Sequence, residues 1–165
     1  MIQRFLFAMD EPAGEPPKAA KGGVQLKCLT VRQPWAHAII FRGKTVENRS
    51  WPSKYRGPLL IHAGVSRQEL VDRRGSDMGW TPEGYFPDST PFPRMEEMAF
   101  GAVIGQVLLK DVLPYGHELL LGNEWADGEW CWLLEDPRPL KTPIMVKGGL
   151  GLWTYKGGIK LEFVA

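Results

Sequence analysis

The apolar residues of this chain come in short runs, each cut off by glycine, proline or a charged residue. Residues 26–32, 59–63, 100–109, 129–135, 140–146 and 150–155 are each too short for a packed helix and rich in β-branched or aromatic side chains, as strands are. Residues 100–109 are apolar on both alternating faces, which predicts a central strand covered on both sides. Residues 44–50 read as a further strand or strand edge. A helix is expected to begin at Gln33-Pro34, where the missing proline N–H does no harm. It runs from Trp35 to Arg42 and stops at Gly43. A second helical turn is expected over residues 66–73, with Ser66 as cap and Glu69 three residues on. Several short strands with frequent turn signals predict an α+β chain, a small barrel of about five to six strands flanked by short helices.

The ends and one insertion stand apart. Residues 1–25 read as a flexible tail, because 10–23 are dominated by Pro, Ala, Gly, Lys and Glu. The apolar stretch at 5–9 falls short of the roughly 7–15-residue core of a secretion signal. Residues 75–94, dense in Gly, Pro and Asp, read as a long irregular insertion. The domain is placed at 26–156, with a C-terminal tail at 157–165. No apolar run approaches the roughly 18 residues of a membrane span. Cys28 and Cys131 do not make a disulfide framework, which points to a reducing, cytoplasmic setting.

The net charge of +1 excludes a strongly basic protein and conceals a basic segment. Between residues 32 and 56 lie six cations (Arg32, Arg42, Lys44, Arg49, Lys54 and Arg56) and one acid, Glu47. The rest of the chain is acidic on balance. A local surplus of this kind predicts an anionic partner, with a solvated basic face as the plainer alternative. Along an extended backbone Glu47 and Arg49 share a face, whereas Lys44 needs a bend to join them. Together they would offer donors for phosphate or carbonyl oxygens and one acceptor for an amine or ribose hydroxyl. A salt-bridge network closing one end of the barrel uses the same residues. Of seven tryptophans, Trp130, Trp132 and Trp153 fall in apolar strands and read as core, and Trp35 as the contact of its helix. Trp51, beside Pro52 in the basic loop, reads as a base-stacking residue. Trp80 is undecided. His37, His62 and His117 are scattered, no Cys-x-x-Cys pair exists, and neither a metal nor a nucleotide cofactor is implied. His62 is expected as a hydrogen-bonded wall residue or as a group facing the cleft.

Three stretches carry a family likeness: Leu-Thr-Val-Arg-Gln-Pro-Trp-Ala from Leu29, Gly-Lys-Thr-Val-Glu-Asn-Arg-Ser-Trp from Gly43, and Tyr-Arg-Gly-Pro-Leu-Leu-Ile-His-Ala from Tyr55. With Gly-Leu-Trp at Gly151, they resemble the ASCH domain, a branch of the PUA-like superfamily of small β-barrels, over residues 26–155. The family signature is Gly-x-Lys-x-x-Glu-x-Arg. Lys44, Glu47 and Arg49 match it, and Gly43 stands one place closer. The resemblance implies an RNA-binding module that receives a modified or unpaired base, with Arg32, Lys44, Glu47, Arg49, Trp51, Lys54 and Arg56 as contacts and RNA preferred to DNA. It also implies an alternative. Some small ASCH-type proteins hydrolyse N4-acetylcytidine through a lysine, a threonine and a downstream glutamate, and others are associated with RNA cleavage. Lys44 carries over to that lysine, but Glu47 stands where the threonine belongs. In such an amidohydrolase or ribonuclease Glu47 would activate water and Lys44 would hold the oxyanion. Thr30, Thr45, Glu129 and Glu135 are the remaining candidates. An acid-rich docking surface for a protein partner over residues 72–97 is a third class.

Overall fold

The computed structural model describes residues 25–67, 93–158 and 160–165. The tail at 1–24, nearly all of the 66–73 turn, nearly all of the 75–94 insertion and Trp80 lie outside them. Ser66 and Arg67 are not helical. In chain order the elements are β1 (Gln25–Val31), α1 (Trp35–Phe41), β2 (Val46–Arg49), β3 (Gly57–Ala63), β4 (Ala102–Pro114), β5 (Trp130–Met145) and β6 (Leu152–Lys156). Two single 3₁₀ turns, Met95–Glu97 and Glu118–Leu120, complete them.

The strands form one mixed sheet in the order β2-β5-β4-β3-β1-β6, with β1 and β3 its parallel pair. β4 is central, as the two-sided apolar pattern of 100–109 predicts, and so is β3, whose Leu59, Leu60 and Ile61 are fully buried. β5 is the long element. Its first residues pair with β2, and the whole strand runs along β4 through three register shifts. Such bulges bend a strand and increase its twist. One expectation needs correction. The sheet is not a closed barrel, because its two end strands, β2 and β6, do not pair with each other. Of the expected flanking helices one is observed, and nearly all of the other, at 66–73, lies outside the described residues. Among the described residues α1 is the single α-helix.

α1 covers one face of the sheet. Its Ile39 and Ile40 join Leu29, Val31, Leu59, Ile61, Val107, Leu109 and Trp132 in the main core. A smaller cluster of Cys28, Leu60, Val103, Leu140 and Tyr155 lies on the other face. The helix starts with Pro34 as its cap residue, which supplies no side-chain bond. Buried Gln33 takes that role: its Oε1 accepts from His37 N–H at 2.9 Å and its Nε2 donates to Ala99 O at 2.8 Å. At the other end Gly43 turns the chain at φ +71°, a left-handed conformation suited to glycine, so that Lys44 N–H returns to Ala38 O at 3.1 Å. The residues read as a C-terminal tail lie against β5. Lys141 N–H donates to Glu162 O, Val164 N–H donates to Pro139 O, and the Arg138 guanidinium sits 4.3 Å from the Phe163 ring centre.

α1 approaches the sheet closely at Gly105. A β-carbon there would lie 2.7 Å from Ile40 Cδ1 and 2.9 Å from Arg138 O. Gly105→Ala is therefore expected to lower stability by about 1–3 kcal/mol, the usual range for overpacking, read as a shifted urea midpoint with unchanged slope. His37 supplies a pH-dependent expectation. Burial and the nearby Arg42 pull its pKa down to about 4 from 6.5. The unfolded chain therefore binds the proton first as pH falls, and stability is lost from 6.5 down through about 4. His37→Gln should lose less over that window in the same denaturation series.

Candidate nucleic-acid interface

β1, the start of α1, β2 and the 124–127 segment surround a cavity of about 480 Å³. The volume falls within the range of small-ligand clefts, roughly 300–1,000 Å³. Its wall includes Thr30, Arg32, Trp35, Lys44, Glu47, Asn48, Arg49, Glu124, Trp125 and Asp127. The left-handed turn at Gly43 delivers Lys44 to this wall one residue ahead of Thr45, and Glu47 and Arg49 follow two apart along the edge strand β2.

Glu47 joins the cluster. Its Oε2 lies 3.3 Å from Lys44 Nζ and its Oε1 3.0 Å from Arg49 Nη2. Both Lys44 and Glu47 are buried, at 5% and 7% exposure, a depth at which an unpaired charge would be expelled. Lys44 Nζ also donates to Val46 O, which leaves a third donor on the ammonium. The ammonium stands 5.8 Å from the ring centres of both Trp35 and Trp125, within reach of a cation–π attraction. Burial nevertheless outweighs these partners and lowers the lysine pKa below its usual range; Glu47 opposes that shift. Arg49 has a second task. Its Nη2 donates to Thr30 O at 2.8 Å, which ties β2 to β1 where no ladder does.

The structure brings Arg32, Lys44, Glu47 and Arg49 together around the cavity and leaves three other predicted contacts outside its wall. Trp51 packs edge-on against Trp132 at 4.7 Å, and its carbonyl accepts from Trp132 Nε1. Lys54 is exposed on the loop before β3. Arg56 is paired with Asp111 at 2.6 Å. Among the further candidates, the Thr30 hydroxyl donates to Gly149 O and accepts from Trp153 Nε1. Thr45 is exposed and accepts from Asn123, Glu129 is exposed, and Glu135 is paired with Lys110 at 2.6 Å. His62 is a buried, hydrogen-bonded residue of β3, 2.9 Å from Val146 O through Nε2, and does not line the cavity. No group of three His, Cys, Asp or Glu side chains suited to a metal occurs among the described residues. None of the described helices is long and apolar enough to cross a membrane.

Sequence reasoning missed the opposite wall. Trp125 is buried on an otherwise exposed loop. Asn48 holds that loop: its Nδ2 donates to Trp125 O at 2.8 Å and its Oδ1 accepts from Asp127 N–H at 3.1 Å. Asn123 Oδ1 accepts from Trp125 N–H at 2.9 Å. An indole among Asn, Glu and Asp between Gly122 and Gly128 reads as a solvated turn, and the one available signal was Asn48 inside the basic motif.

An open mixed sheet with one covering helix, a buried Lys–Glu–Arg cluster at its seam and indoles beside a cavity defines the class of this small domain. The chain belongs to the ASCH domain family, whose description matches residues 29–141. Activating signal cointegrator 1 from Homo sapiens is 27% identical over 139 residues, 76% of this chain and 22% of that protein, and the Mus musculus protein gives the same figures. The chain thus spans about a fifth of the length of these relatives. A crystal structure of a ZmASCH mutant from Zymomonas mobilis is 18% identical, with a TM-score of 0.41, covering 72% of this chain and 74% of that one.

The buried pair makes a testable demand on stability. Removing Lys44 leaves Glu47 still paired with Arg49 at 3.0 Å, so no orphaned charge results. Lys44→Met is expected to unfold no more easily than the parent at pH 7. The parent should gain on that variant as pH rises toward 10.5, because a depressed lysine pKa makes the unfolded chain the better proton binder in that window. Urea denaturation of both proteins at pH 7 and pH 9.5 gives the comparison.

Proposed function

We propose that this ASCH domain is a nucleic-acid-binding module that takes a single unpaired or modified base of RNA into the cavity. The observation that carries this reading is the convergence of the Lys44–Glu47–Arg49 cluster with the faces of Trp35 and Trp125 around a space of about 480 Å³. That space suits one nucleoside and is too small for a duplex. Aromatic faces accept any base by stacking, at about 1–3 kcal/mol per base. Arg32 and Arg49 supply donors for the adjoining phosphate, and the third donor of Lys44 meets a carbonyl or phosphate oxygen. Lys54 and Arg56, on the chain that continues from Arg49, extend the basic surface along the strand outside. Trp51 serves by supporting Trp132 beneath the site.

The hydrolytic alternative draws on one observation, the buried lysine with a lowered pKa. A base role for Glu47 is opposed by its geometry, since each of its oxygens faces a cation at 3.0 or 3.3 Å.

One experiment separates the two. Short single-stranded RNA is titrated at low and high salt, and the same RNA and N4-acetylcytidine are followed for products. The expected result is binding without product, with log K falling against log salt by about 0.7 for each phosphate contact. Lys44→Ala should lower the affinity about tenfold, ~1.4 kcal/mol, and Trp125→Ala by at least as much. Binding that is absent or indifferent to salt overturns the module. Product that disappears in Lys44→Ala establishes the hydrolase.

A further inference from the structure

The two walls of the cavity differ in charge. Arg32, Lys44 and Arg49 line the side built by β1 and β2, where the one acid, Glu47, is already engaged by two cations. Glu124 and Asp127 line the opposite side, on either side of the buried Trp125. Among the described residues neither carboxylate is paired with a cation. Asp127 Oδ1 accepts from Gly128 N–H at 2.7 Å, and its other oxygen has no such partner. The formal charges around the cavity therefore cancel, but they are separated across it. A polyanion track would be positive throughout, because its ligand is a row of phosphates. This wall pairing suits a ligand that is anionic at one end and donates hydrogen bonds at the other.

The acidic wall is also held in place. Asn48 clips the loop on both sides of Ala126, through Trp125 O and Asp127 N–H, and Asn123 ties it to Thr45 at 3.4 Å. The acceptors stand on fixed backbone beside the indole on which a base would stack.

Resting on the nucleic-acid reading above, we propose that Glu124 and Asp127 determine base specificity, so that the cavity prefers bases carrying an exocyclic amine, cytosine and adenine, over uracil. An amine at position 4 of cytosine or position 6 of adenine donates to a carboxylate. Uracil presents a carbonyl oxygen at position 4, which a carboxylate repels and cannot satisfy. Discrimination here comes as much from the penalty on the wrong base as from the bond to the right one.

The test is tryptophan-fluorescence titration of the full chain with single-stranded RNA octamers of cytidine, adenosine and uridine at one fixed salt concentration. Oligocytidine and oligoadenosine are expected to bind about tenfold more tightly than oligouridine, the scale of one base-edge hydrogen bond. In the E124Q/D127N double variant both positions carry amides, which accept from an amine or donate to a carbonyl equally well. The preference should then fall to about twofold while binding of all three strengthens with the loss of negative charge. Both residues are exposed, so the variant should fold as the parent does. Equal binding of cytidine and uridine octamers by the parent, or a preference that survives in the double variant, overturns this assignment and leaves the binding module standing. Absence of binding to any octamer overturns both.

Discussion

Glu47 holds the seam of this molecule. It is buried between Lys44 and Arg49 at 3.3 and 3.0 Å, and Arg49 uses the same nitrogen to reach the Thr30 carbonyl on β1. A sheet that ends in free edges needs something other than a ladder to hold its curl. Here a side chain spans a gap that no ladder closes: the pairing of β1 with β6 ends at Leu29, and the Thr30 carbonyl just beyond it accepts from Arg49. The cavity is the space left beside that bridge. The ion pairs that order the seam are thus the groups a ligand would meet.

Lys44 illustrates how stability and binding pull apart. Its ammonium is buried between two indoles, and desolvation outweighs the help it receives from Glu47. Replacing a buried ion pair by apolar groups is often neutral or stabilising. In the function proposed above, Lys44 serves the ligand rather than the fold. The hydrogen-bonded loop opposite completes the site by presenting an indole and two carboxylates on a backbone fixed by Asn48.

Much of this was legible in the chain itself. The central strand β4 followed from a run that is apolar on both faces, and the helix over Trp35–Phe41 from a proline start and a glycine stop. The cluster of Lys44, Glu47 and Arg49 followed from a basic segment with a single acid in it. Their meeting did not follow from strand geometry alone, because alternation puts Lys44 on the wrong side. It needed the left-handed turn at Gly43. Trp51 was read as a stacking residue from its basic neighbours, but β5 places Trp132 beneath it, and the contact with that indole keeps it from the cavity wall.

The amino-acid order by itself determined where strands begin, where the helix stops, and which charges travel together, because these depend on neighbours a few positions away. That the runs at 129–135 and 140–146 join into one strand, Trp130–Met145, and that β4 continues to Pro114 came from pairing between the two. Tertiary structure alone decided that the sheet stays open and that Trp125, 81 residues beyond Lys44 in sequence, faces the lysine. It also decided that the acids at Glu124 and Asp127 stand across from the cations of β1 and β2. The physical reason is the same in each case. Ladder partners, and therefore which loop arrives at which edge, are set by competition among distant strands for a limited number of backbone edges. No local pattern of side chains records the result.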